Sequence, residues 1–167
     1  MKCFEWNDDL ETGHAEIDAQ HRLLVVLGKA MVDSLISPKG GRANTADLRA
    51  LIEFTKEHFE YEEMLMRSSA YPAAERHAKY HASLLTEIRS YCRRVERSVH
   101  TDPEKLAGFV WDWIRLHINA EDRDLVMWLE AHESDHFLGK VIRALDGLPE
   151  PIMRSSEVPG LLKKPSE

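Results

Sequence analysis

His58-Phe59-Glu60-Tyr61-Glu62-Glu63, "HFEYEE", sits in a segment whose apolar residues Leu48, Leu51, Ile52, Phe59, Leu65 and Met66 recur at helical spacing. His58 and Glu62 fall on that same face, since residues four apart differ by only about 40° around an α-helix. Both side chains therefore point at the core, where an unpaired polar group costs roughly 1–3 kcal/mol. The segment predicts a helix that opens near Asn44-Thr45, both suited to an N-cap, and closes at Ser68-Ser69.

Three other segments share this periodicity. Ile17, His21, Leu24, Val25, Gly28, Met31, Val32 and Leu35 form one, ended by Ser37-Pro38-Lys39-Gly40-Gly41. A second starts around Pro72 and carries His77, Tyr80, His81, Leu84, Leu85, Ile88, Tyr91, Cys92 and Val95. The third has Asp102 as N-cap and Pro103 at the first helical position, followed by Leu106, Phe109, Val110, Trp113, Ile114, His117, Leu125, Trp128 and Leu129. None shows the two-residue alternation of a half-buried strand. Four long amphipathic helices with short connections predict an all-α protein, an up-down-up-down four-helix bundle over residues 1–131. Residues 132–167 are expected to add one short extra helix through Phe137, Val141, Ile142 and Leu145. A Pro-rich tail follows, with Pro149, Pro151, Pro159 and Pro165, either flexible or docked on a protein partner.

Composition narrows the function. The chain has 167 residues, 43% of them apolar, enough for one domain with a real core. A net charge of −7 without a clustered basic face argues against nucleic acid, and Arg93, Arg94 and Arg97 read as a solvated helix face. Cys3 and Cys92 are far apart and lack metal-finger spacing, which argues against a disulfide scaffold. The opening MKCFEWNDDLETG has no signal-peptide apolar core, and no run approaches the ~20 apolar residues of a membrane span. The expectation is a soluble, cytoplasmic protein with no membrane role.

The polar residues inside the apolar stripes carry the chemistry. His77 and His81 repeat the four-residue spacing of His58 and Glu62, while His21 and His117 lie in the first and fourth stripes. Inward histidines and a carboxylate drawn from four helices are costly to desolvate unless paired, and a bound metal removes that cost. Imidazole and carboxylate donors suit iron, zinc, copper or manganese. The donors outnumber the needs of one ion, which points to two ions bridged by carboxylates in the bundle core. On an ideal helix Glu121 shares the face of His117, with Asp122 about 140° away; a π-bulge would bring in Asp122 instead. His14 and His100 stand near helix starts and read as exposed or capping. His132 and His136 read as a surface pair.

Together, "GHAEIDAQH" at 13–21, "HFEYEE" at 58–63, "HAKYH" at 77–81 and "HINAED" at 117–122 resemble the hemerythrin family, over roughly residues 6–130. The single-domain length is similar to that of a bacteriohemerythrin. That resemblance implies the bundle of myohemerythrin and two iron ions, cycling between Fe2+ and Fe3+, with an oxo or hydroxo bridge. It implies His77, His81 and His117 on one iron, His21 and His58 on the other, and Glu62 with Asp122 bridging, so it selects Asp122 over Glu121. Dioxygen would bind reversibly at the iron with two histidines, in a pocket lined by Leu24, Phe59, Trp113, Ile114 and Ile118. The implied function is oxygen storage, delivery or sensing, without enzymatic turnover. Two other readings use the same residues: a di-iron enzyme consuming peroxide or nitric oxide, and a closed structural site for zinc. Glu63, about 100° from Glu62, reads as exposed or as an outer neighbour of the site.

Overall fold

The computed structural model describes residues 4–36, 45–97 and 102–132. Its helices are α1 (Ala15–Ile36), α2 (Thr45–Ser68), α3 (Ala74–Glu96) and α4 (Pro103–His117), preceded by a 3-10 turn at Asp8–Leu10. After α4 comes one π-helical turn, Ile118–Asp122, and α-helix resumes over 123–132. Each helix packs on the next, and α1 also packs on α4, which closes the ring of a four-helix bundle. No strand occurs among the described residues. The all-α architecture matches the one predicted from periodicity. The expected short C-terminal helix, the tail and His100 and His136 lie outside the described residues.

Local chemistry sets the helix ends. The Asp102 carboxylate accepts from the Glu104 and Lys105 N–H groups at 3.0 and 3.4 Å, and Pro103 occupies the first turn. Pro72 does not open α3, which begins instead at Ala74. The reason lies in how α2 closes: Ala70 takes a left-handed φ of 53° and the Tyr71 N–H donates to the Met66 carbonyl at 2.9 Å. That closure consumes Tyr71–Ala73 as a turn, and the Tyr71 side chain packs against Met66 and Leu125 in a small apolar cluster.

A larger apolar cluster fills the other end of the bundle and includes Leu24, Leu51, Phe59, Leu84, Ile88, Val110 and Ile118. Along α2, His58 and Glu62 fall between Ile52 of the larger cluster and Met66 of the smaller one. Along α4 and its continuation, His117 and Asp122 fall between Ile114 and Leu125. The site is thus closed by apolar layers at both ends.

The N-terminal segment is pinned by a missing side chain. Phe4, 4% exposed, lies over Gly28 and meets Trp111 at 5.4 Å between ring centroids. A Cβ on residue 28 would collide with the Phe4 ring. Gly28→Ala should therefore cost about 1–3 kcal/mol through overpacking. In a Phe4→Ala background the same change should become stabilising by up to about 1 kcal/mol, because alanine is the better helix former. Urea unfolding of the four variants checks this reversal of sign; equal effects in both backgrounds would show that Phe4 does not press on Gly28.

Candidate metal centre

Seven polar side chains converge in the bundle core: His21 from α1, His58 and Glu62 from α2, His77 and His81 from α3, His117 from α4 and Asp122 from the π-turn. All are at most 1% exposed. The extra residue of the π-turn decides the carboxylate. It carries Asp122, five positions after His117, onto the inward face, with its Oδ1 3.0 Å from His117 Nε2. Glu121 is turned aside to Arg76, 3.2 Å away. The ideal wheel fails here for a local reason, and the bulge is the alternative it left open.

The two carboxylates divide their oxygens between two histidine groups. Asp122 Oδ1 lies 3.2 Å from His77 Nε2 and 3.0 Å from His117 Nε2, while its Oδ2 lies 3.0 Å from His21 Nε2. Glu62 Oε2 faces His81, His77 and His117 at 3.2, 3.7 and 3.7 Å, while its Oε1 faces His58 at 3.7 Å. Two overlapping donor sets result. One comprises Glu62, His77, His81, His117 and Asp122; the other comprises His21, His58, Glu62 and Asp122.

The donors fit metal ions better than they fit one another. Despite these short approaches, the five Nε2 atoms and all four oxygens of Glu62 and Asp122 lack an aligned hydrogen-bond partner. Lone pairs that converge without meeting a donor are what cations satisfy, and neutral imidazole with carboxylate is a donor set suited to first-row metals. Burial pushes His58, His81 and His117 down to about 4, with the carboxylates nearby only partly opposing it. These three imidazoles stay neutral and ligand-competent near pH 7. His77 is also drawn down by burial, but the adjoining Asp122 and Glu62 carboxylates prevail and raise it. Asp122 is held well below its usual range, because His117, His21 and His77 outweigh its desolvation.

A family model for the hemerythrin HHE cation binding domain matches residues 12–129. The chain belongs to the hemerythrin family. Among hemerythrin relatives, a bacteriohemerythrin of Pseudomonas aeruginosa is 30% identical over 129 residues, covering 75% of this chain and 81% of that protein. One from Stenotrophomonas maltophilia is 25% identical over 156 residues, covering 88% and 100%. One from Campylobacter jejuni is 30% identical over 131 residues, covering 77% and 92%. The hemerythrin match contains all seven converging residues.

The five residues expected to line a pocket are all buried in the core. Leu24, Phe59, Trp113, Ile114 and Ile118 are each at most 5% exposed and belong to the larger apolar cluster. Phe59 touches both histidine groups, stacking on His81 at 3.7 Å between centroids and standing 5.6 Å from His58. Trp113 meets the edge of Phe59 at 6.2 Å.

Several supporting residues surround the centre, and all of them except Tyr80 escaped the helix pattern. Gln20 Oε1 lies 3.0 Å from His58 Nδ1, and Tyr80 stacks on His117 at 5.5 Å. Asp18, only 6% exposed, accepts from the Thr12 N–H and hydroxyl at 2.8 Å and from the Gly13 N–H at 3.1 Å. It ties the entering loop down beside His21. Glu63, read from the sequence as exposed or as an outer neighbour, sits 3.2 Å from His81 Nδ1. Apolar periodicity is blind to such residues; only their position inside the "GHAEIDAQH" and "HFEYEE" stretches hinted at them. His14 caps α1, accepting from the Ile17 N–H at 3.3 Å. His132 is no loose surface residue: it stacks on Trp128 at 3.6 Å and binds the Trp128 carbonyl at 2.8 Å.

Proposed function

We propose that this chain is a cytoplasmic protein that binds dioxygen reversibly at a non-haem di-iron centre, for storage, delivery or sensing. The observation that carries the reading is the divided carboxylates: each of Glu62 and Asp122 offers one oxygen to a three-histidine position and one to a two-histidine position. His77, His81 and His117 would hold one iron, and His21 with His58 the other. Iron held by these residues would supply the reversible redox chemistry that dioxygen binding needs.

The residues favour binding over further chemistry. The two-histidine position has one protein donor fewer, so it leaves coordination space for a small ligand. Five imidazoles and two carboxylates bring less negative charge than the carboxylate-rich di-iron sites of other bundles, which have four glutamates and two histidines. Less anionic donation gives less support to highly charged metal, so cleavage of the O–O bond is disfavoured. Leu24, Trp113, Ile114 and Ile118 keep water and protons away from the site on the side of the larger cluster.

No helix among the described residues is long and apolar enough to cross a membrane. The decisive test is metal analysis with an optical spectrum of the anaerobically reduced protein, before air, after air and after oxygen is withdrawn. About two irons per chain and a visible band that comes and goes with oxygen support the proposal. Immediate, irreversible oxidation sinks it, and faster loss of hydrogen peroxide or nitric oxide than with free iron would then favour an enzyme. Opening the apolar wall with Ile114→Ala should speed the irreversible loss of that band several-fold, alongside a core penalty of about 2–5 kcal/mol. An unchanged rate would remove Ile114 from the barrier.

A further inference from the structure

Each of the two donor sets contains one histidine whose second ring nitrogen is held, and the two holders differ in chemistry. On the two-histidine side, Gln20 Oε1 meets His58 Nδ1 at 3.0 Å. The orientation of that amide is itself determined, because Gln20 Nε2 donates to the Glu16 carboxylate at 3.2 Å. With its NH2 committed to an acceptor, Gln20 presents its carbonyl to His58, so Nδ1 must carry the hydrogen. On the three-histidine side, Glu63 Oε1 meets His81 Nδ1 at 3.2 Å, while Glu63 Oε2 lies 3.8 Å from the Arg67 guanidinium. A carboxylate only accepts, so here too Nδ1 must donate. Both arrangements leave Nε2 with its lone pair directed at the converging centre.

We infer that Gln20 and Glu63 are positioning residues that fix His58 and His81 as Nδ1–H tautomers, one for each metal position. The inference deepens the di-iron reading and rests on it. The holders have real competition: Glu62 stands 3.2 Å from His81 Nε2 and 3.7 Å from His58 Nε2, and without metal it would draw the hydrogen to that side. Gln20 and Glu63 resist this, so the lone pairs are presented before metal arrives. The holders also make the positions unequal. A charged acceptor behind His81 raises its basicity as a ligand more than a neutral amide does behind His58. Glu63 therefore strengthens the three-histidine position, and Gln20 orients its partner without adding charge.

The test uses the full chain in two measurements. Nitrogen-15 NMR of the metal-free protein near pH 8 should show His58 and His81 as Nδ1–H tautomers. Titration with cobalt(II) under anaerobic conditions should show about two binding steps. Glu63→Leu should weaken one step ten- to hundred-fold, the usual effect of losing an outer partner, and Gln20→Leu should weaken the other. Glu63→Gln, which keeps an accepting carbonyl but loses the charge, should fall between wild type and Glu63→Leu. Finding either histidine mainly as the Nε2–H tautomer overturns the inference, as do substitutions that change neither step by more than threefold. The tautomers are read in the wild-type chain, so a poorly folded variant does not protect the inference. A wild-type protein with the stated tautomers that takes up no cobalt would instead sink the metal-centre reading and leave the positioning intact.

Discussion

Asp122→Ala should reduce metal loading from about two ions per chain to one or fewer, while Glu121→Ala leaves it unchanged. Asp122 is completely buried, and its two oxygens face different histidine groups, so its removal strips a donor from both positions at once. Glu121 is occupied with Arg76 and takes no part in either donor set. Metal analysis of both variants after anaerobic loading separates the two carboxylates. Equal losses would mean that the π-turn relaxes on metal binding and brings Glu121 inward. The same geometry gives a sharper corollary. Deleting the exposed Ala120 would return the turn to regular α-helix and place the aspartate four residues after His117, so the deletion should retain loading.

That corollary marks the limit of what the sequence alone could disclose. Helical periodicity located α1 to α4 because each buries a continuous apolar stripe. His21, His58, Glu62, His77, His81 and His117 stood out because they interrupt those stripes at positions that must face inward. Asp122 was not fixed by the wheel, since a single inserted residue changes the angle by a full residue step and leaves no mark in composition. Pro72 misled for a related reason. Its preference for a first helical turn was overridden by Ala70 and Tyr71, whose closure of α2 moved the start of α3 to Ala74. Gln20 and Glu63 act through hydrogen bonds between helices or across a half-exposed edge, and an apolar pattern cannot report those.

Removing the metal should lower the thermal midpoint by on the order of 10 °C at neutral pH. The chain then keeps five imidazole Nε2 atoms and four carboxylate oxygens buried without aligned partners. Leaving buried polar groups unsatisfied costs roughly 1–3 kcal/mol each, which protons and entering water offset in part. A residual loss of about 4 kcal/mol corresponds to a shift of this size for a chain of this length. Acid should weaken the stripped protein further. His58, His81 and His117 titrate at about 4 when folded, against about 6.5 when unfolded, so the unfolded chain takes up more protons between those limits. Their contribution is therefore intact above about pH 7 and is lost progressively as the pH falls toward 4. His77, raised in the folded state, contributes in the opposite sense: its stabilisation is present at low pH and fades as the pH rises through its folded value. Three groups oppose one, and the net slope is a loss on acidification. Urea midpoints of the chelator-treated protein at pH 7.5 and pH 5 measure it directly. A midpoint that stays level or rises at pH 5 would mean that the histidines are already protonated in the folded chain, in ion pairs with Glu62 and Asp122 instead of waiting as neutral ligands.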